Sequence, residues 1–190
     1  MALDPQRVSL ACHPQTPTDV VRGITARVCR LADTTLTLAF ALDADLSRLR
    51  LPSPNVPRRA HGLWEHTCFE AFIGLNNSPA YHEFNFAPSG EWALYAFHRY
   101  REIASPPEVT VAPEVNVRRL ADRLELEVVV RLESLSVVHP TSPLRLALSA
   151  VIEDAGGSLS YWALRHRSVK PDFHHADAFV LTVDSRGDPR

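Results

Sequence analysis

Residues 68–97 read CFEAFIGLNNSPAYHEFNFAPSGEWALYAF, and this stretch decides the fold. Residues 68–74, 81–87 and 91–97 alternate in side-chain character with a period of two, which is the period of a β-strand. Asn76-Asn77-Ser78-Pro79 separates the first two runs, and Pro88-Ser89-Gly90 separates the last two. A three-residue loop that ends in glycine is typical of a hairpin, so the last two runs are predicted to pair antiparallel.

The same alternation recurs on both sides of this stretch. Further strands are predicted at 24–31, 35–42, 109–117, 124–132, 144–153, 160–166 and 179–183, with turns at Ala32-Asp33-Thr34, Ala121-Asp122, His139-Pro140 and Asp154-Ala155-Gly156-Gly157. Residues 43–50 suggest one helical turn, and the proline-rich residues 51–57 suggest a surface loop. About ten strands with almost no helical periodicity predict an all-β, antiparallel β-sandwich of the jelly-roll type. We expect one domain over residues 1–190, with its core at about 20–183.

The amino-acid composition of the chain limits the classes of molecule that we expect it to bind. Apolar residues make up 45% of the 190 residues and charged residues 22%, with a net charge of -2, which is ordinary for a globular chain. Because Lys and Arg form no run, we expect no nucleic-acid partner. Because no apolar stretch approaches the roughly 20 residues of a membrane span, we expect no membrane partner. The first residues lack the pattern of a secretory signal, so a cytoplasmic location is predicted. Cys12, Cys29 and Cys68 lack metal or disulfide spacing and are interpreted as reduced thiols.

Strand alternation also predicts a polar site. It places Glu70, Glu83 and Asn85 on a common face, with the phenylalanines of the same strands in the core at positions 69, 84 and 86. Rigidly held carboxylates and amides match the hydroxyl groups of a sugar. The alternative is that these groups are the solvent side of a half-exposed sheet.

Aromatic residues accompany this polar face, and they favour a ligand site. They are Trp64, Tyr81, Trp92, Tyr95, Tyr100, Tyr161 and Trp162. Aromatic rings stack on flat ligands and on sugar rings. The sequence therefore predicts a non-catalytic domain that binds a small ligand, with a glycoside-acting enzyme that uses Glu70 and Glu83 as the alternative. The grouped histidines at 61, 66 and 82 and at 174 and 175 lack the spacing of a metal motif.

Four segments carry a resemblance to a known family: LWEHTCFEAF from residue 63, YHEFNFAPSGEW from 81, SYWALRH from 160 and KPDFH from 170. The chain resembles the bacterial DOMON-like proteins, which are similar to family 9 carbohydrate-binding modules, over roughly residues 20 to 183. The resemblance implies a β-sandwich that binds a sugar or haem without performing chemistry. The implied ligand is a carbohydrate or a cell-wall-related sugar.

The resemblance also implies site residues. In the sugar-binding relatives, tryptophans clamp the ring while acids and amides hold its hydroxyl groups, and the matching positions are Trp64, Glu70, Glu83, Asn85, Trp92 and Trp162. The haem-binding relatives use methionine and histidine as axial ligands. This chain has only Met1, so a histidine such as His66, His82 or His174 would have to ligate alone. No cofactor or catalytic residue is expected, with haem or calcium kept as alternatives, and the oligomeric state is left open.

Overall fold

Twelve β-strands and four single-turn 3-10 helices make up the regular structure of residues 5–32, 34–105, 111–135 and 142–184, which the computed structural model describes. The strands are β1 (Gln6–Cys12), β2 (Val21–Ala32), β3 (Thr35–Ala44), β4 (Cys68–Leu75), β5 (Tyr81–Phe86), β6 (Trp92–Arg99), β7 (Glu102–Ile103), β8 (Glu114–Arg119), β9 (Arg123–Arg131), β10 (Leu144–Glu153), β11 (Leu159–Ala163) and β12 (Leu181–Val183). The helical turns are Leu46–Arg48, Leu63–Glu65, Leu132–Ser134 and Ala176–Ala178.

The strands form two antiparallel sheets. The front sheet has the order β7-β6-β5-β4-β10-β11, with β12 beside the first residues of β10, and the back sheet has the order β1-β2-β3-β9-β8. Strand β1 pairs with β2 through residues 6–10 and with β11 through Ala11 and Cys12, so it links the two sheets. This architecture confirms the predicted all-β antiparallel sandwich.

The main core lies between the two sheets. Phe69, Phe84 and Phe86 of the front sheet are buried there, as predicted, together with Ile73, and the ring of Phe40 from the back sheet lies 5.3 Å from that of Phe69. Burying each such side chain contributes roughly 1.5–3 kcal/mol. The alternation of β4 and β5 thus fixes which face of the front sheet meets the back sheet.

The opposite face of the front sheet carries a second apolar cluster. Phe72, Tyr81 and Phe97 are buried there against Phe173 and Ala178 of a segment that follows β11. Because the front sheet is covered on both of its faces, every residue of β5 is buried. Polar residues on this second face are therefore removed from water instead of forming a solvated surface.

Most predicted strands are present, with shifted ends. The strand predicted at 160–166 ends at Ala163, and the strand predicted at 179–183 begins at Leu181. Strand β8 begins at Glu114, and the first residues of its predicted range lie outside the described part of the chain, as does the predicted turn at His139-Pro140. Strands β1 and β7 were not predicted, because one is largely exposed at the seam between the sheets and the other has two residues.

The other loop predictions match the structure within the described residues, and Asp33 of the predicted turn at Ala32-Asp33-Thr34 lies outside them. Residues 51–57 have no regular structure and are largely exposed, and the helical turn predicted within 43–50 spans Leu46–Arg48. The hairpins before β6 and β11 contain Gly90 and Gly157 with positive φ. None of the helices in the described ranges has the length and apolar character that crossing a bilayer requires.

Candidate functional site

The outer face of the front sheet contains a cavity of about 380 Å³, which we call the cleft. Trp64, Glu70 and Glu83 line it together, so the structure brings these three predicted site residues to one place. The other lining residues are Tyr95, Phe97, Arg101, Ile103, Val151, Tyr161, Pro171, Phe173 and His174. Aromatic side chains therefore enclose two carboxyl groups.

The floor of the cleft is built by strand register. Glu70 on β4 pairs with Asn85 on β5, and Phe72 pairs with Glu83, so the two acids are diagonal neighbours on adjacent strands. Ser149 on β10 donates a hydrogen bond of 2.9 Å to Glu70 Oε2, and Asn85 Nδ2 donates one of 2.8 Å to Glu83 Oε1. Glu70 Oε1 and Glu83 Oε2 accept no hydrogen bond from the described residues, which leaves one oxygen of each acid for a ligand.

Burial changes the ionisation of these acids. Glu70 is 3% exposed and Glu83 is 6% exposed. Burial raises the pKa of Glu70 well above its ordinary value, and the neighbouring charge of Glu83 raises it further. Burial also raises the pKa of Glu83, although the hydrogen bond from Asn85 and the charge of Arg101 act against it. Two close carboxyl groups with raised pKa values share protons more readily than they carry two negative charges.

A hydrogen-bonded chain connects the floor to the segment that covers it. The Arg101 backbone N–H donates to the Tyr81 hydroxyl at 3.2 Å, and that hydroxyl lies 2.8 Å from His174 Nδ1. Because burial lowers the pKa of His174 to about 4, its ring is neutral at pH 7. The other ring nitrogen of His174, Nε2, lies 3.6 Å from Glu83 Oε2.

Arg101 is the positively charged residue that lines the cleft wall, and it forms an ion pair with Asp172. Its guanidinium lies 3.0 Å from Asp172 Oδ1, and Tyr100 donates to the other oxygen of that carboxylate. Burial raises the pKa of Asp172, but the hydrogen bonds from Tyr100 and Arg101 outweigh it, and the net pKa is lowered. Arg101 also has a φ of +53°, a left-handed conformation that few non-glycine residues adopt.

The upper wall of the cleft is aromatic. Trp64 is 42% exposed, and its ring meets Tyr95 edge-on, with centroids 5.5 Å apart. The helical turn Leu63–Glu65 begins after Gly62, whose φ of +72° turns the chain so that Trp64 reaches the cleft. Tyr161 and Phe173, with centroids 6.0 Å apart, also line the wall. An exposed ring thus faces the buried floor.

Three predicted site residues lie outside the cleft lining. Trp92 and Trp162 are 5% and 7% exposed and belong to the core between the sheets, so their assignment as ligand contacts is corrected. Trp92 pairs with Phe86 and shares its inward direction, and Trp162 Nε1 donates to Ser160 Oγ inside the core. Asn85 lies below the floor, where it orients Glu83.

Nine of the twelve lining residues were not among the predicted site residues, although Tyr95 and Tyr161 were noted as accompanying aromatic residues and His174 as a possible haem ligand. Tyr95 pairs with Glu83 across β5 and β6, and hairpin register is the signal that could have identified it. Arg101, Phe173 and His174 reach the cleft from a turn and from the covering segment. No local sequence pattern indicates that these distant segments meet at the front sheet.

The three histidines considered as haem ligands lie in three different environments. His82 is fully buried, and His174 is engaged by Tyr81 on one nitrogen and faces Glu83 with the other. His66 Nδ1 lies 2.7 Å from Glu153 Oε2, away from the cleft lining. Among the described residues, no three His, Cys, Asp or Glu side chains are grouped so that they could hold a metal ion.

Comparison with solved structures identifies the fold. A candidate carbohydrate-binding protein from Bacteroides uniformis ATCC 8492 matches 96% of this chain and 87% of its own, with a TM-score of 0.71 and 15% identity. Comparison with protein-family models found no match, and neither did comparison with curated proteins. The chain therefore shares the β-sandwich fold of that protein.

A more specific likeness is to family 9 carbohydrate-binding modules. Two structures of such a module from Caldicellulosiruptor kristjanssonii, one with glucose and one with cellotriose, each match 95% of this chain with a TM-score of 0.62 and 9% identity. The matches cover 85% and 84% of the two module chains. The similarity to family 9 modules that the motifs indicated is confirmed at the level of the fold.

Proposed function

We propose that the protein binds a small carbohydrate in the cleft. The observation that carries this proposal is that an exposed tryptophan, Trp64, faces two buried carboxyl groups, Glu70 and Glu83, across one cavity. A volume of about 380 Å³ is within the range of small-molecule sites. The proposal assigns no catalytic step to the two acids.

The two parts of the cleft suit the two parts of a sugar. The C–H face of a sugar ring packs on an aromatic surface, and Trp64 and Tyr95 form such a surface at the rim. Sugar hydroxyls pair with Glu70 Oε1 and Glu83 Oε2, whose positions on a sheet are fixed by their partners Ser149 and Asn85. The glucose and cellotriose complexes of structurally similar modules support this ligand class.

Trp64 provides a direct test. We expect a panel of mono- and disaccharides to include a ligand that changes tryptophan fluorescence, because Trp64 is the exposed member of the three tryptophans and the other two are buried. Isothermal titration calorimetry on Trp64→Ala should show affinity reduced about tenfold or more, and Trp64→Phe should retain part of it.

The control is Val56→Ala, which removes an exposed apolar side chain in the proline-rich loop and should leave the affinity unchanged. Thermal unfolding should show that Trp64→Ala still folds, because that side chain is largely outside the core. Equal affinities for Trp64→Ala and the parent protein would contradict the proposal, and so would a panel in which no sugar binds.

A further inference from the structure

Within the described part of the chain, neither acid on the floor of the cleft forms an ion pair with an Arg or Lys, although the more distant charge of Arg101 acts on Glu83. Glu70 contacts Ser149, Glu83 contacts Asn85 and the neutral ring of His174, and neither is within ion-pair distance of an Arg or Lys in the described residues. The charge of Arg101 on the wall is balanced by Asp172. Buried carboxylates are ordinarily paired with a cation, so this floor lacks the partner that its acids require when ionised.

The aromatic walls favour the same kind of ligand. Trp64, Tyr95, Tyr161 and Phe173 line the cavity above the acids. The faces of such rings attract ammonium groups within about 6 Å, and the attraction strengthens where water is excluded. A neutral sugar makes only the weaker contact of its C–H groups with these rings, whereas a protonated amine is attracted strongly by both the rings and the acids.

We propose that the cleft selects an amino sugar with a free, protonated amine, which is held between the carboxylates of Glu70 and Glu83 and the aromatic wall. This inference rests on the proposed carbohydrate-binding function and names the class of sugar. An N–H group of the ammonium donates to Glu70 Oε1 and another donates to Glu83 Oε2, the two oxygens without a hydrogen bond from the described residues. The ammonium group thus takes the place of a sugar hydroxyl at these two oxygens, and the C–H face of the sugar still packs on Trp64 and Tyr95 at the rim.

Binding of an ammonium group changes the protonation of the floor. The ligand brings its positive charge, a carboxyl group of the pair releases a proton to the buffer, and no covalent bond forms or breaks in the ligand. The other titratable or charged groups that face the pair are Cys68, Tyr81, Tyr95, Arg101 and His174, and Asp172 lies against Arg101. Burial raises the pKa of the Cys68 thiol and of both tyrosines, so these groups are neutral. His174, with a pKa of about 4, is neutral as well.

Calorimetry with glucosamine, glucose and N-acetylglucosamine tests the inference. At about pH 6.5, below the usual pKa range of amines, we expect glucosamine to bind about tenfold or more tightly than the two neutral sugars. Its measured binding enthalpy should differ between phosphate and Tris buffers, because a proton is transferred to the buffer. The enthalpies of glucose and N-acetylglucosamine should be the same in both buffers.

Two substitutions test whether the preference for glucosamine depends on the acids of the cleft floor. Glu70→Gln should bring the affinity for glucosamine to within about twofold of that for glucose and should weaken the buffer dependence, because the floor loses one of its two acids. Glu65→Gln is the matched control, since this exposed acid lies beside Trp64 but outside the cleft lining, and the preference for glucosamine should persist. If Glu70→Gln does not fold, Glu83→Gln and the two-buffer comparison on the parent protein provide the same test.

The outcomes separate the two proposals. If glucose binds as tightly as glucosamine and neither releases a proton, the amino-sugar inference is wrong while the proposed carbohydrate binding stands. If neither these three sugars nor any other sugar of the panel binds, the proposed carbohydrate-binding function is wrong as well. A preference for glucosamine that survives both Glu70→Gln and Glu83→Gln would also overturn the inference, because the amine would then be bound elsewhere.

Discussion

His82 on β5 is a fully buried histidine whose two ring nitrogens have no hydrogen-bond partner within the described part of the chain. It pairs with Ile73 and shares the inward direction of Phe84 and Phe86, so it lies on the core side of the front sheet. Burial lowers its pKa from 6.5 to about 4. The folded protein therefore holds His82 neutral at a pH at which the unfolded chain binds a proton.

This residue predicts a pH dependence of stability. Because the folded pKa is below the unfolded pKa, the contribution of His82 is complete above about pH 6.5 and is lost as the pH falls toward 4. Between pH 7 and pH 4.5 we expect a loss of about 2–3 kcal/mol from this group. Urea unfolding of His82→Leu should show this part of the pH dependence removed.

Comparison with a variant isolates His82 from the other titrating groups. His174 contributes in the same direction, because its pKa is also lowered to about 4, whereas the raised pKa values of Glu70 and Glu83 act in the opposite direction. The exposed His98 offers a control, and His98→Gln should keep the pH dependence of the parent. If His82→Leu shows that same dependence, the buried neutral histidine is not its source.

The positions of Glu70 and Glu83 could be predicted residue by residue from the sequence, whereas the positions of Trp92 and Trp162 could not. Alternation along β4 and β5 was sufficient to place Glu70 and Glu83 on one face. Trp92 was assigned to the site from the family resemblance, but its pairing with Phe86 directs it into the core. Placing Trp92 correctly requires the register across the hairpin as well as the period along one strand.

The hairpin between β5 and β6 positions Glu83 opposite Tyr95, and Gly90 closes it. Gly90 has a φ of +93° and donates from its N–H to the Ala87 carbonyl. In Gly90→Ala the new methyl group would meet the Asn55 carbonyl oxygen at 3.6 Å, an ordinary contact, so the cost is conformational. We expect about 1–2 kcal/mol of destabilisation in urea unfolding.

Gly23 on β2 supplies the matched control for that substitution. It has no positive φ, and a methyl group there would meet no atom within 4 Å. Gly23→Ala should change stability by no more than about 0.5–1 kcal/mol, in the stabilising direction. Equal losses for both substitutions would show that the left-handed conformation of Gly90 is not what the hairpin requires.

Elements with strong alternation were predicted and weak ones were not. The strands from 24 to 42, from 68 to 97 and from 124 to 153 contain long apolar alternations that one buried face imposes. Strand β1 is buried mainly at Leu10, because most of it lies at the seam between the sheets. Strand β7 extends the edge of the front sheet by two exposed residues, which carry no detectable period.

At the scale of the whole molecule, the cleft depends on contacts between distant parts of the chain. Phe173 and His174 return to the front sheet about ninety residues after Phe84 and Phe86, and they close one side of the cavity. Sheet order brings β10 beside β4, which places Ser149 next to Glu70. Short-range sequence patterns predict the strands, but such long-range pairings follow only from the complete packing.

The central claim is that a sugar occupies the cleft of the front sheet, and amide chemical-shift mapping by NMR tests it most directly. Titration with glucosamine should shift the amide signals of residues around Trp64, Glu70, Glu83, Tyr95 and His174, and should leave those of the back sheet unchanged. Shifts confined to the separate cavity beside Asp19 and Asp154, or to the outer face of the back sheet, would contradict the account.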